Sequence, residues 1–223
     1  MALTAGSDSP AGAALCPSRG TYCGAMELVP LVFSSGWASG VNAYLVVLVV
    51  GILGRTTDLA DIPDALTRTD VLVVAGVLYG MEFVADKIPY IDSTWDAVST
   101  AIRPTAGAVI AVLVAGDAST LEQALLAVLG GGTALASHAV KSGVRLAINT
   151  SPEPVTNIGA SLGEDLTVAG VVVLALYHPW LALGVTVTLL VTGLVLLFVI
   201  MRRARRGWRR WKHRDRDLPA RHR

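Results

Sequence analysis

Two short patterns in this chain carry chemistry that an apolar segment does not need. Glu82 and Asp86 stand four residues apart, and His138, Lys141 and Arg145 are spaced by three and then by four. On a helix each set shares one face. Two acids on one helix and three potential cations on another neutralise each other if they meet. Arginine and lysine together also suit a carboxylate or phosphate, held by charge-assisted hydrogen bonds. Asn42, Lys87, Arg103, Glu164 and Asp165 are further polar residues within or beside apolar runs. Ionisable groups at membrane depth are costly, and by default they point to function. The candidate binding set is therefore Asn42, Lys87, Arg103, His138, Lys141 and Arg145. Glu82, Asp86, Glu164 and Asp165 form the candidate proton-coupling or pairing set.

Each of these residues also has a structural reading. Acids and bases in a bundle core fix helix register, acids at a helix start cap it, and Lys or Arg near a helix end snorkels to the interface. The functional reading rests on convergence of the group. Catalytic signatures are absent from the sequence: it has no Gly-x-Ser-x-Gly elbow, no Walker loop and no His-Glu-x-x-His. Glu82, Asp86 and His138 would suit a divalent ion, but the lysine and arginines beside them oppose one. No metal site and no cofactor is expected. Cys16 and Cys23 show no metal-ligand or redox spacing.

The elements that must position these residues are apolar helices. The chain has 223 residues, of which 53% are hydrophobic and 16% charged, and a mean hydropathy of +0.58. Ordinary soluble domains are about 25% charged. The apolar runs are continuous, which argues against the alternating pattern of a β-barrel. The fold expected is all-α: a polytopic membrane helix bundle of about six apolar segments, some of them short or broken. Segment one runs from about Leu31 to Leu53, with a small and polar first half. Segment two covers Val71 to Asp86. Segment three is strongly apolar only from Thr105 to Ala115, and Pro104 is expected in its first turn, where proline is tolerated. Segment four runs from Leu121 to Leu146 and contains Gly130-Gly131-Gly132, a mark of close packing or of a break. Segment five opens at Ser161-Leu-Gly-Glu164, a capping-box pattern. Its apolar part, Leu166 to Tyr177, is too short to cross about 30 Å unaided. Segment six, Leu181 to Met201, is uninterrupted.

Charge sets the expected orientation. Of 18 Lys and Arg residues, 11 lie between Arg202 and Arg223, immediately after segment six. The positive-inside rule places that tail in the cytoplasm, with contact to anionic lipid headgroups as a second use; nucleic acid is not an expected partner. Six spans then put both termini in the cytoplasm, and all ten candidate residues emerge toward the cytoplasmic side. Segments three and five would start at that depth, aiming their helix N-termini at the site. The expected domains are an N-terminal extension over residues 1–25, untranslated if Met26 is the true start, a membrane domain over 26–201 and a basic cytoplasmic tail over 202–223. A weak internal repeat relates segments two and three to segments four and five, each unit turning at a lysine, Lys87 or Lys141.

The runs Gly40-Val-Asn-Ala-Tyr44, Glu82-Phe-Val-Ala-Asp-Lys-Ile-Pro89 with Asp92 and Asp96, Arg103-Pro-Thr-Ala-Gly107, His138-Ala-Val-Lys141 and Glu164-Asp165 resemble an uncharacterised bacterial integral-membrane family, domain of unknown function 4126. The resemblance covers about Val32 to Ile200. It implies a small polytopic protein of the plasma (bacterial inner) membrane and brings no activity or ligand. The function expected from the residues is that of a small carrier or channel. It would move an anionic solute or a phosphate-bearing lipid through a cytoplasm-facing polar site, with membrane lipids as partners. Self-association is open. The alternatives are a membrane enzyme acting on a lipid headgroup and a non-catalytic membrane subunit.

Overall fold

A computed structural model describes residues 25–57, 62–149 and 154–214. Residues 1–24, with Cys16 and Cys23, and the last part of the basic tail, 215–223, lie outside the described residues. Among the described residues the fold is entirely helical: α1 (Ala25–Thr56), α2 (Asp64–Thr67), α3 (Thr69–Ala85), α4 (Pro89–Ala115), α5 (Thr120–Asn149), α6 (Pro154–Tyr177) and α7 (Pro179–Arg214). Five of these, α1 and α4 to α7, contain stretches long and apolar enough to cross a membrane. Large apolar side chains such as Val73, Val77, Leu125, Val128, Leu166 and Phe198 face outward, while Glu82, Arg103, Lys141 and Arg145 are buried. A water-soluble fold does not expose apolar surface on this scale. The chain is a multi-pass integral membrane protein.

Helix α1 is where the architecture departs most from a plain bundle. It is two helices joined at Asn42, whose backbone is extended (φ −153°, ψ 95°). The Asn42 side chain starts the second half: its Oδ1 accepts the Leu45 amide at 3.0 Å, the bond an asparagine N-cap makes. The two halves then fold back on each other. Leu31 and Ser35 of the first half line one apolar pocket together with Val46, Val47 and Val50 of the second. In a straight helix Leu31 and Val50 would stand about 28 Å apart at 1.5 Å per residue. Ile62, Leu66, Ile110, Val114 and Leu176 close the same pocket. Leu28 and Val29 pack near Ala115 and Ala118, at the turn from α4 to α5. Gly51 lies on Leu66 and Leu72, where α3 begins. Both ends of α1 are thus at one end of the bundle, and Asn42 is the apex of a re-entrant hairpin.

From there α3, α4, α5, α6 and α7 alternate in direction. The last is tied to its neighbours by Ser34–Thr186 (3.3 Å) and by the seating of Gly193 on Val140 and of Leu197 on Gly143. Against the expected six apolar spans, five helices among the described residues are long and apolar enough to cross a membrane. Ala25 and Arg214 lie at opposite ends of the bundle, because the break at Asn42 turns segment one around. Segments three and five are not half-helices. Helix α4 runs continuously through Pro104, which sits in its interior and not in its first turn. Helix α6 begins at Pro154, so Ser161 and Glu164 lie inside it and form no capping box. The helix N-termini of α4 and α6 are therefore well removed from Arg103 and Glu164. The short element is α3, whose 17 residues reach about 25 Å.

Small residues let the hairpin enter the bundle. Gly40 approaches Ala134 and Ser137 of α5 so closely that a Cβ would overlap the Ala134 carbonyl, and Gly107 and Gly130 meet backbone to backbone. The glycine triplet marks close packing, and α5 is unbroken. Gly40→Val should cost about 1–3 kcal/mol or more, the range for overpacking, read as a lower melting temperature in detergent. Gly80→Ala, with open space around it, should leave that temperature unchanged.

Candidate functional site

Breaking α1 frees backbone carbonyls at the end of its first half, and these are the first atoms of the site. The Val41 carbonyl accepts Lys141 Nζ at 3.0 Å, and the Gly40 carbonyl accepts Arg103 NH1 at 3.3 Å. Cations are favoured at this negative end of a helix dipole. On the other side of the break Asn42 Nδ2 donates to Asp165 Oδ1 at 3.1 Å, and Tyr79 Oη donates to Asp165 Oδ2 at 3.1 Å. The break thus joins one helix to cations from α4 and α5 and to an acid from α6.

Around it lies a buried ionic network. Glu82 of α3 accepts Arg103 NH2 at 2.6 Å and lies 3.5 Å from Lys141 Nζ. Arg103 also lies 3.4 Å from Asp96. Lys141 stands 3.3 Å from both Asp86 and Glu164. Arg145 grips Glu164 with two parallel bonds, Nε to Oε1 at 3.0 Å and NH2 to Oε2 at 2.7 Å. It reaches the Asp86 carboxylate at 3.3 Å and the Asp86 carbonyl at 2.9 Å. The residues that meet here belong to α1, α3, α4, α5 and α6.

His138 is held within the same network. Arg103 NH1 lies 2.7 Å from its Nδ1. A guanidinium only donates, so Nδ1 accepts and the ring proton belongs on Nε2. That nitrogen faces Thr100 Oγ1 at 3.0 Å and Ser142 Oγ at 3.3 Å. Thr100 in turn donates to the Asp96 carbonyl. The imidazole is here a neutral spacer between an arginine and two hydroxyls.

Among the described residues five carboxyl groups (Glu82, Asp86, Asp96, Glu164, Asp165) meet three basic side chains (Arg103, Lys141, Arg145). An uncompensated charge is expensive at this depth, and the Lys87 ammonium, whose charge is felt by Asp165 and Asp86, is a further cation nearby. Glu82 Oε2 and Asp86 Oδ1 are buried and accept no hydrogen bond. Glu164, with 22% of its side chain exposed, is the most accessible carboxylate of the ion pairs, where Glu82 and Asp86 are at 0% and 3%.

The whole constellation lies on the stretch that decides the family. This chain belongs to the DUF4126 family, a domain of unknown function, whose profile matches residues 29–199. The family region therefore contains the hairpin and every residue of the network, and leaves the basic stretch after Met201 outside. No curated protein and no solved structure matches the chain.

Of the ten residues singled out from the sequence, nine are gathered in this DUF4126 site. Lys87 is the exception. Its Nζ turns back on its own helix, donating to the Phe83 carbonyl at 2.7 Å and lying over the Phe83 ring. Partial burial pulls its ammonium below the ordinary lysine range, with Asp165 and Asp86 opposing that shift and Arg145 adding to it. Sequence reading quoted Asp96 for the family resemblance but left it out of the candidate site, and it missed Tyr79, Thr100 and the Gly40 and Val41 carbonyls. Helical spacing held a signal for three of them. Tyr79 lies three residues before Glu82, and Asp96 and Thr100 lie seven and three before Arg103, all on the faces in use. The carbonyls left no signal without the break.

Proposed function

We propose that this chain is a small carrier that moves an anionic solute, or the phosphate-bearing headgroup of a lipid, through the buried network with protons as coupling ions. One observation carries the reading. The two-pronged grip of Arg145 on Glu164, with Lys141 on the same Oε2 atom, is the geometry in which proteins bind a carboxylate or phosphate. Here the chain's own glutamate occupies it, at the most accessible edge of the ion pairs. Protonating Glu164 removes its charge from Arg145 and Lys141, which keep their bonds to Asp86, and a substrate anion takes the place of the glutamate. Deprotonation restores the internal pair and releases the substrate. The discontinuous helix with ions held at its break is the arrangement that serves carriers elsewhere. The basic run Arg202–Arg206 at the same end of the bundle supports a cytoplasmic opening, by the positive-inside rule.

The experiment is uptake into proteoliposomes of labelled phosphate and a panel of small carboxylates, with and without an inward proton gradient. At least one anion should accumulate faster with the gradient. Arg145→Ala should abolish that flux, and Glu164→Gln should uncouple it from the gradient. Flux equal to protein-free vesicles for every anion, and no flipping of a fluorescent phospholipid, would remove the proposal. A second reading is favoured by how fully the cations are already paired: a non-catalytic membrane subunit whose charges hold its helices together. It expects no flux at all, with a stable fold when both members of a pair are neutralised together.

A further inference from the structure

Lys141 sits inside an oxygen cage drawn from three other elements of the network. Its Nζ has the Val41 carbonyl at 3.0 Å, Asp86 Oδ2 and Glu164 Oε2 each at 3.3 Å, and Glu82 Oε1 at 3.5 Å. One of these ligands is a backbone carbonyl freed by a helix break, the type of atom that coordinates coupling cations in carriers with discontinuous helices. The side chain itself is buried, and two more buried carboxylate oxygens next to it, Glu82 Oε2 and Asp86 Oδ1, have no hydrogen-bond partner. Oxygen-rich surroundings of this kind suit a hard cation. As the structure stands, no group of three or more His, Cys, Asp or Glu among the described residues is set to hold a metal ion; the ammonium fills the space between the three acids.

We infer that the Lys141 ammonium is a tethered occupant of a monovalent-cation site, and that a free cation of ammonium or potassium size takes its place when the tether is removed. Charge fixes the class. The cage holds one positive charge now, so a monovalent ion reproduces the electrostatics and a divalent ion does not. Size narrows it further, because oxygens standing 3.0 to 3.5 Å from the ammonium close in less around potassium or ammonium than around the smaller sodium ion. The inference goes beyond the carrier reading and stands whether or not the chain moves anions.

The test removes the tether and asks which ion restores the fold. Lys141→Ala is purified in detergent with potassium, ammonium, sodium or N-methylglucamine chloride at one ionic strength, and its melting temperature is followed against concentration. A ligand that binds only the folded state raises that temperature saturably. The expected result is a saturable rise of several degrees with potassium and ammonium, a smaller rise with sodium and none with N-methylglucamine. The wild-type protein should show no such selectivity, and Asp86→Asn added to Lys141→Ala should remove it. Equal melting temperatures in all four salts would overturn the inference. Failure of both Lys141→Ala and Lys141→Ser to yield folded protein in any of the salts would overturn it too, since a free ion would then be unable to replace the tethered one.

Discussion

Arg103→Ala should leave little folded protein. The guanidinium is fully buried and meets Glu82 at 2.6 Å, Asp96 at 3.4 Å, the Gly40 carbonyl at 3.3 Å and His138 at 2.7 Å. Removing it leaves Glu82, which has no exposure, with the longer 3.5 Å contact to Lys141, and leaves a ring nitrogen and a carbonyl unpaired. Breaking a buried pair from one side costs about 3–5 kcal/mol, a large part of the ~5–15 kcal/mol that holds a domain together. The measurement is thermal unfolding in detergent, together with the yield of monodisperse protein. The same cost should not appear when both charges go. Glu82→Gln with Arg103→Met should recover most of the loss, because replacing a whole buried pair by matched neutral groups is close to neutral. Arg68→Ala should leave the melting temperature where it was, since its partner Asp70 and Arg68 itself are mostly exposed. If Arg103→Ala melts with the wild type, the network is not what holds α3, α4 and α1 in register.

Much of this site is readable from the sequence because charge inside an apolar chain is a strong signal. Glu82 with Asp86, and His138 with Lys141 and Arg145, announce two helix faces by spacing alone, and those faces meet. Helix α7 is uninterrupted, as segment six implies, and continues past Met201 to Arg214. What resisted reading has one physical origin, which is that helix breaks and helix starts depend on tertiary partners. Asn42 looks like a polar residue in an apolar run. Nothing local says that Lys141 and Arg103, 100 and 63 residues further along, would donate to the carbonyls released by an extended backbone there. Pro104 and Ser161 err in the opposite direction. Both carry local signals for a helix start, yet packing carries α4 and α6 straight through them. A proline inside a helix costs about 3 kcal/mol and a missing cap about 1 kcal/mol, and packing along one side in a bundle overrides both.

The re-entrant hairpin has the larger consequence for topology. A straight α1 would carry Met26 and Thr56 to opposite faces of the membrane, about 45 Å apart over 30 residues. Folded at Asn42, it returns both to the face where α4 ends and α5 begins. The freed carbonyls at Gly40 and Val41, the cap on Leu45 and the Asn42–Asp165 bond all depend on that fold-back. A thiol reagent that cannot cross the membrane should therefore label Met26→Cys and Thr56→Cys from the same side and Ile88→Cys from the other, in protein whose Cys16 and Cys23 are replaced by serine.

The most direct measurement is the distance between spin labels at Met26→Cys and Thr56→Cys in that cysteine-free background, reconstituted in lipid. A hairpin with its apex at the ionic network gives a separation less than half of the straight-helix length of about 45 Å. A distribution centred near the full length would mean that α1 crosses the membrane in one pass. The Val41 and Gly40 carbonyls would then not reach Lys141 and Arg103, and the site would not exist.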